Sequence, residues 1–166
     1  CYCRNDITPY ILWDIARSVR GNNWQAQRDA GCDFLTVADF CLYDYVLNTS
    51  FLVGHLPRRV NTSDNALDRI FLAARGRATT GTPVHACEMT KWFDTNYHYL
   101  VPELKQDQDF QYAWPQIVNE TKAALVQGIK AKTVLIGPLT YLWLGKCVGN
   151  DFDKLTLLKK LLHVYI

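Results

Sequence analysis

No stretch of this sequence is apolar for the roughly 18 to 20 residues that a membrane-spanning helix requires. The longest runs, such as Ile70–Ala74 and Val134–Ile136, are far shorter, which excludes a helical membrane span. One-sided charge is missing too. Eighteen Lys and Arg against sixteen Asp and Glu leave a net +2, too small and too evenly mixed for a nucleic-acid or membrane surface. The first ten residues have neither the basic start nor the apolar centre of a secretion signal. Residue 1 is Cys rather than Met, so the numbering is expected to start inside a longer gene product. The phosphate-binding patterns G-x-G-x-x-G and G-x-x-x-x-G-K-[ST] are both absent, which removes the usual sequence support for a nucleotide-binding sheet. No internal repeat, linker or low-complexity segment is present.

What is there fits one soluble domain, with 49% hydrophobic and 20% charged residues over 166 positions. The six cysteines (Cys1, Cys3, Cys32, Cys41, Cys87 and Cys147) are even in number but scattered. A chain of this length has no need of staples, so reduced thiols and a cytoplasmic location are expected. The acceptor patterns at Asn48, Asn61 and Asn119 are then chance matches.

Helical spacing of Ile11, Leu12, Ile15, Ala16 and Val19 predicts a helix from Pro9 to about Ala30, capped by Thr8 and ended or bent at Gly21. Three short apolar runs, Cys32–Val37, Pro83–Met89 and Thr133–Ile136, read as buried parallel strands. Between the last two, Trp114 to Leu125 forms a helical stripe with Pro115 in its first turn and Gly128 after it. Another stripe runs from Leu155 to Tyr165, and the sequence stops on Ile166 without a capping signal, as a truncated chain would. The loop from Pro57 to Asn65 is expected to be solvated. Strands alternating with helices predict an α/β fold with a parallel sheet. Polar residues gather after the predicted strands: Asp39, Tyr43 and Asp44; then Glu88, Lys91, Asp94, Asn96 and His98; then Thr140. That placement favours part of a (β/α)8 TIM-type barrel over an open sheet.

The densest of these groups is Glu88-Met-Thr-Lys-Trp-Phe-Asp-Thr-Asn-Tyr-His-Tyr-Leu-Val-Pro-Glu103. It resembles the most recognisable stretch in the N-terminal barrel of the cobalamin-independent methionine synthase family. Four further segments agree in order and spacing: Asn23-Trp-Gln-Ala-Gln-Arg-Asp-Ala-Gly-Cys-Asp33, Val37-Ala-Asp-Phe-Cys-Leu-Tyr-Asp-Tyr-Val46, Ala74-Arg-Gly-Arg77 and Leu135-Ile-Gly-Pro-Leu-Thr140. The resemblance runs from about Pro9 to Tyr165. It departs from the family at Asn23 and Tyr45, where His is usual, and in lacking the first barrel strand.

The resemblance implies that residues 1–166 are an internal fragment of that N-terminal barrel, with no second domain. It also implies an activity: transfer of a methyl group from 5-methyltetrahydropteroyltriglutamate to homocysteine, giving methionine. In the family a C-terminal catalytic barrel holds zinc and activates homocysteine, while the N-terminal barrel helps to hold the folate's glutamate tail. The zinc ligands would therefore lie outside this chain, which would bind no cofactor and supply no catalytic residue. Lys91 falls at the family's tail contact, and with Asn96 and His98 it forms the implied substrate-binding set. A tail with several carboxylates calls for a cation beside polar groups. Without the resemblance, Lys91 reads as a surface residue paired with Glu88 or Asp94.

Other readings compete. The chain could be a non-catalytic remnant or accessory binding module that kept the barrel pattern, or an unrelated barrel hydrolase using Asp39 and Glu88 as paired carboxylates. Cys1-x-Cys3 has no second ligand pair. His55, His85 and His163 stand apart as packed or solvated residues, and nothing orients Cys87 and His98 as nucleophile and base.

Overall fold

Helix α1 (Pro9–Asp29) begins where the sequence places it, with Pro9 in the first turn and the Thr8 hydroxyl accepting from the Ile11 N–H at 3.3 Å. It does not end at Gly21. The cost of a mid-helix glycine is about 1 kcal/mol, and the buried Ala16 and Trp24 hold the helix on either side of it. The turn out of the helix comes ten residues later at Gly31, which takes φ 79°. The computed structural model describes residues 2–166. Cys1, and with it the Cys1-x-Cys3 reading, lies outside the described residues.

Two compact units divide the chain. The first joins the segment up to Leu42 with Pro115–Leu135; the second joins Tyr43–Trp114 with Ile136–Ile166.

In the first unit, strand β1 (Leu35–Val37) pairs in parallel with a strand at Ala131–Thr133, Leu35 opposite Ala131 and Val37 opposite Thr133. The first strand is shorter than the Cys32–Val37 run, and the second corrects the sequence reading: it lies ahead of the Thr133–Ile136 run and shares only Thr133 with it. Cys32 is absorbed by the end of α1, its N–H donating to the Gln27 carbonyl at 3.1 Å. The far edge of β1 is blunted by a side chain: the Thr36 N–H donates to Gln27 Oε1 at 2.7 Å, standing in for a neighbouring strand. A helix over Gln116–Val126 covers the pair, with Pro115 at its N-cap, one position ahead of the first turn where the sequence reading places it. The core joins Trp24, Leu35, Val37, Ala124 and Ile129. On the same helices the partly buried Arg20 meets the buried Glu120 at 3.4 Å, and burial raises the Glu120 carboxyl above its ordinary range.

Directly after β1 the backbone turns through Ala38, which is buried and held at φ 61°. This left-handed conformation costs a non-glycine residue roughly 1 kcal/mol or more. Ala38→Gly is therefore expected to stabilise the chain by about 0.5–1 kcal/mol, the relief of strain being partly offset by the freer unfolded chain. Urea unfolding of the two chains at matched protein concentration measures the difference, and a less stable variant would contradict the strain.

The second unit opens with α2 (Tyr45–Leu52), capped by Asp44. A 3-10 turn follows at Arg58–Val60, then α3 (Ala66–Arg75), whose N-terminal Leu67 N–H is taken by Asn65 Oδ1 at 2.9 Å. The loop expected to be solvated is exposed at Arg58, Asn61, Thr62, Asp64 and Asn65, but Val60 within it is fully buried and anchors it. Gly76 ends α3 at φ 72°, and a Cβ there would come 2.3 Å from the Val84 carbonyl oxygen. That contact explains why the Ala74-Arg-Gly-Arg77 stretch needs glycine at its third position.

The Pro83–Met89 run corrects another expectation. Its backbone bonds to the end of α3, Val84 N–H to the Gly76 carbonyl and Cys87 N–H to the Ala73 carbonyl, both at 2.8 Å. The ladder begins only at β2 (Met89–Lys91), which pairs antiparallel with β3 (His98–Leu100). The tight return through Trp92–Tyr97 leaves no length for a crossover helix, so these two strands cannot run parallel. Next, β4 (Glu103–Leu104) pairs in parallel with a strand at Lys146–Cys147. Taking the remaining elements in chain order, the first unit's helix Gln116–Val126 is α4 and its strand Ala131–Thr133 is β5. The second unit then contributes α5 (Pro138–Leu144), β6 (Lys146–Cys147), a 3-10 turn at Lys154–Leu157 and α6 (Leu158–Tyr165). The fold is mixed α/β, with two parallel strand pairs and one antiparallel pair among the described residues. They form no closed barrel.

Candidate functional site

Lys91, Asn96 and His98 all fall on the β2–β3 hairpin. Lys91 ends β2 and His98 begins β3, and the register sets them directly opposite each other, so their side chains leave the same face. Asn96 lies in the return between the strands, its carbonyl accepting from His98 Nδ1–H at 3.0 Å. All three side chains are exposed. Lys91 takes no ion-pair partner among the described residues; Glu88, offered as one from the sequence, pairs with Lys146. A free ammonium beside an imidazole and an amide can accept an anionic group from solution.

The opposite face of the hairpin is apolar and fixed. Tyr99, next to His98 in β3 and so pointing the other way, is buried, and Trp92 meets the Tyr97 and Tyr99 rings edge-on with centroids 6.2 and 6.1 Å away. Two polar groups from the start of α2 hold β3. Asp44 Oδ1 accepts from the Leu47 N–H at 2.8 Å as a helix cap, and its Oδ2 accepts from the Leu100 N–H at 3.1 Å. The Tyr45 N–H donates to the Tyr97 hydroxyl at 2.9 Å. Burial pushes the Asp44 carboxyl up to about 6, against the pull of its N–H donors.

A second polar group lies deeper in the same unit. His55 Nε2–H donates to the Glu103 carbonyl at 3.1 Å, which leaves Nδ1 to accept from the Tyr141 hydroxyl at 2.8 Å; that hydroxyl also meets Ser50 Oγ at 2.8 Å. Burial holds the His55 imidazole below its ordinary pKa and the Tyr141 phenol far above its own. Both stay neutral, as a hydrogen-bonded core network requires. His55 is thus a packed histidine. Nearby, Arg59 grips the Glu103 carboxylate with two nitrogens, one at 2.7 Å, and donates to the His85 carbonyl at 2.9 Å.

Cys87 is not activated. Its sulfur lies 3.7 Å from Arg59 Nη2, yet burial pushes the thiol up to about 11, and His98 is engaged with Asn96 rather than with it. No group of three or more His, Cys, Asp or Glu side chains converges among the described residues in a way that could hold a metal. Asp44, Arg59 and Tyr141 were not singled out as site residues from sequence. Only Asp44 carried a signal, an acidic residue immediately before a helical run.

The class these features define is an α/β chain presenting a fastened, cation-bearing hairpin. The sequence matches, over residues 1–166, the family described as the N-terminal domain of cobalamin-independent synthase, and the chain belongs to that family. Among similar proteins is the 5-methyltetrahydropteroyltriglutamate–homocysteine methyltransferase of Yersinia enterocolitica, 50% identical over 99% of this chain and 22% of the relative. Its counterpart in Salmonella arizonae is 49% identical over the same shares. The chain therefore spans about a fifth of the length of these curated relatives. No helix among the described residues is long and apolar enough to cross a membrane.

Proposed function

We propose that this chain is the folate-tail-binding part of a methyltransferase that moves the methyl group of 5-methyltetrahydropteroyltriglutamate to homocysteine. Lys91, with Asn96 and His98 beside it, receives carboxylates of the triglutamate tail. The observation that carries this reading is the free ammonium of Lys91 set opposite His98 on a hairpin whose other side is locked. The substrate in the relatives' name carries three linked glutamates, the kind of polyanion such a pair suits. In this reading the surrounding fold is a portion of a TIM-type barrel. Zinc and the homocysteine site belong to a C-terminal catalytic barrel outside these residues, and the protein works in the cytoplasm.

The test is a chimera of the Yersinia enterocolitica relative in which this chain replaces the matching stretch. Lys91→Met in that chimera is expected to weaken binding of the triglutamyl folate by about 1–3 kcal/mol, the range for a charge-assisted hydrogen bond. Homocysteine affinity should be unchanged. Equal folate affinity in mutant and parent, measured by calorimetry, would remove Lys91 from the site.

A further inference from the structure

A hairpin with three residues in each strand is too short to hold its own shape in water. The exposed face that carries Lys91 and His98 must therefore take its position from what grips the strand beneath it. Those grips are the Leu100 N–H on Asp44 Oδ2 and the Tyr97 hydroxyl on the Tyr45 N–H, 3.1 and 2.9 Å long. They bracket His98 and Tyr99 from both ends, and both lead to the first turn of α2. Asp44 is fully buried, and its other oxygen is committed to the helix cap, so its carboxylate ties one element to the other.

We propose that Asp44 is a positioning residue for the binding hairpin: by joining the start of α2 to β3 it fixes where Lys91 and His98 meet the ligand, without touching the ligand itself. This rests on the tail-binding reading given above. The tie uses two carboxylate oxygens pointing in different directions, and a hydroxyl cannot replace both. Ser at this position keeps the N-cap, since serine caps about as well as aspartate, but it cannot also reach the Leu100 N–H. Asp44→Ser therefore separates the helix cap from the hairpin tie.

In the same chimera, Asp44→Ser is expected to raise KM for the triglutamyl folate about five- to tenfold, the loss of one well-made hydrogen bond at the ligand. The kcat should stay within about twofold, the pattern of lost substrate binding rather than lost chemistry. Asp44→Ser combined with Lys91→Met should cost less than the sum of the two single changes, because Asp44 acts in part through Lys91. Tyr97→Phe removes the other grip while keeping the ring, and should shift KM in the same direction. An unchanged KM in both Asp44→Ser and Tyr97→Phe, with Lys91→Met impaired, would overturn the positioning role and leave the tail-binding reading standing. Additive effects of Asp44→Ser and Lys91→Met would overturn it as well. An unchanged KM in Lys91→Met would instead remove the reading on which the inference rests.

Discussion

Tyr141→Phe is expected to destabilise the chain by about 2–4 kcal/mol, a large loss for the deletion of one oxygen atom. The Tyr141 ring is fully buried and its hydroxyl meets both His55 Nδ1 and Ser50 Oγ at 2.8 Å. Ser50 can turn its hydroxyl wholly to the Val46 carbonyl, 3.1 Å away. His55 has no such second choice, since its other nitrogen is committed to the Glu103 carbonyl. The variant thus buries a bare imidazole nitrogen, and the cost is its desolvation rather than the worth of one hydrogen bond. Pairing the change with His55→Phe, against the ring of Phe110, should cost less than the sum of the two single changes. Urea unfolding of the four chains at matched concentration measures the cycle. Strict additivity would show that His55 and Tyr141 are not coupled.

The second large effect is on association. Purified alone, the 166-residue chain is expected to self-associate, with an unfolding midpoint that rises with protein concentration. On α1, Ile11, Ile15 and Val19 repeat at helical spacing, yet all three are exposed, so three of the five apolar positions read from the sequence remain open to solvent. In the second unit a cleft lined by Phe93, Leu139, Leu142, Trp143, Phe152 and Leu155 opens to solvent. Trp143 is 71% exposed there, and burying an aromatic of this size contributes about 2–3 kcal/mol. The strand pairs of the second unit are two-stranded among the described residues; Asp44 and His55 take backbone groups on the outer edges of β3 and β4, and the outer edges of β2 and β6 are left for further pairing. Light scattering and urea unfolding at several concentrations check the expectation. A monomer with one sharp, concentration-independent transition would show that the chain covers these surfaces by itself.

Local signals were legible because their physics is local. Thr8 and Pro9 start a helix wherever they precede an apolar repeat, Pro115 does the same for α4, and a short β-branched run such as Leu35–Val37 makes a strand when helices cover it. The long segment Glu88–Glu103 was legible for a different reason, as a pattern of residue types that matches a family. It placed Lys91, Asn96 and His98 in one stretch of chain, and a hairpin keeps residues of one stretch together.

What the sequence by itself determined, then, is the α/β alternation, the family and the stretch that carries the candidate site. Tertiary structure alone decided the direction of β2 against β3 and every contact that holds the hairpin and its surroundings. Asp44 and Leu100 are 56 residues apart, Arg59 and Glu103 are 44 apart, and His55 and Tyr141 are 86 apart. No periodicity links such positions, because a side chain's long-range partner depends on how intervening elements pack rather than on the residues beside it. Arg59 shows the consequence: it sits in a loop whose composition reads as solvated, and only the arrival of β4 beside that loop turns it into a partly buried ion pair.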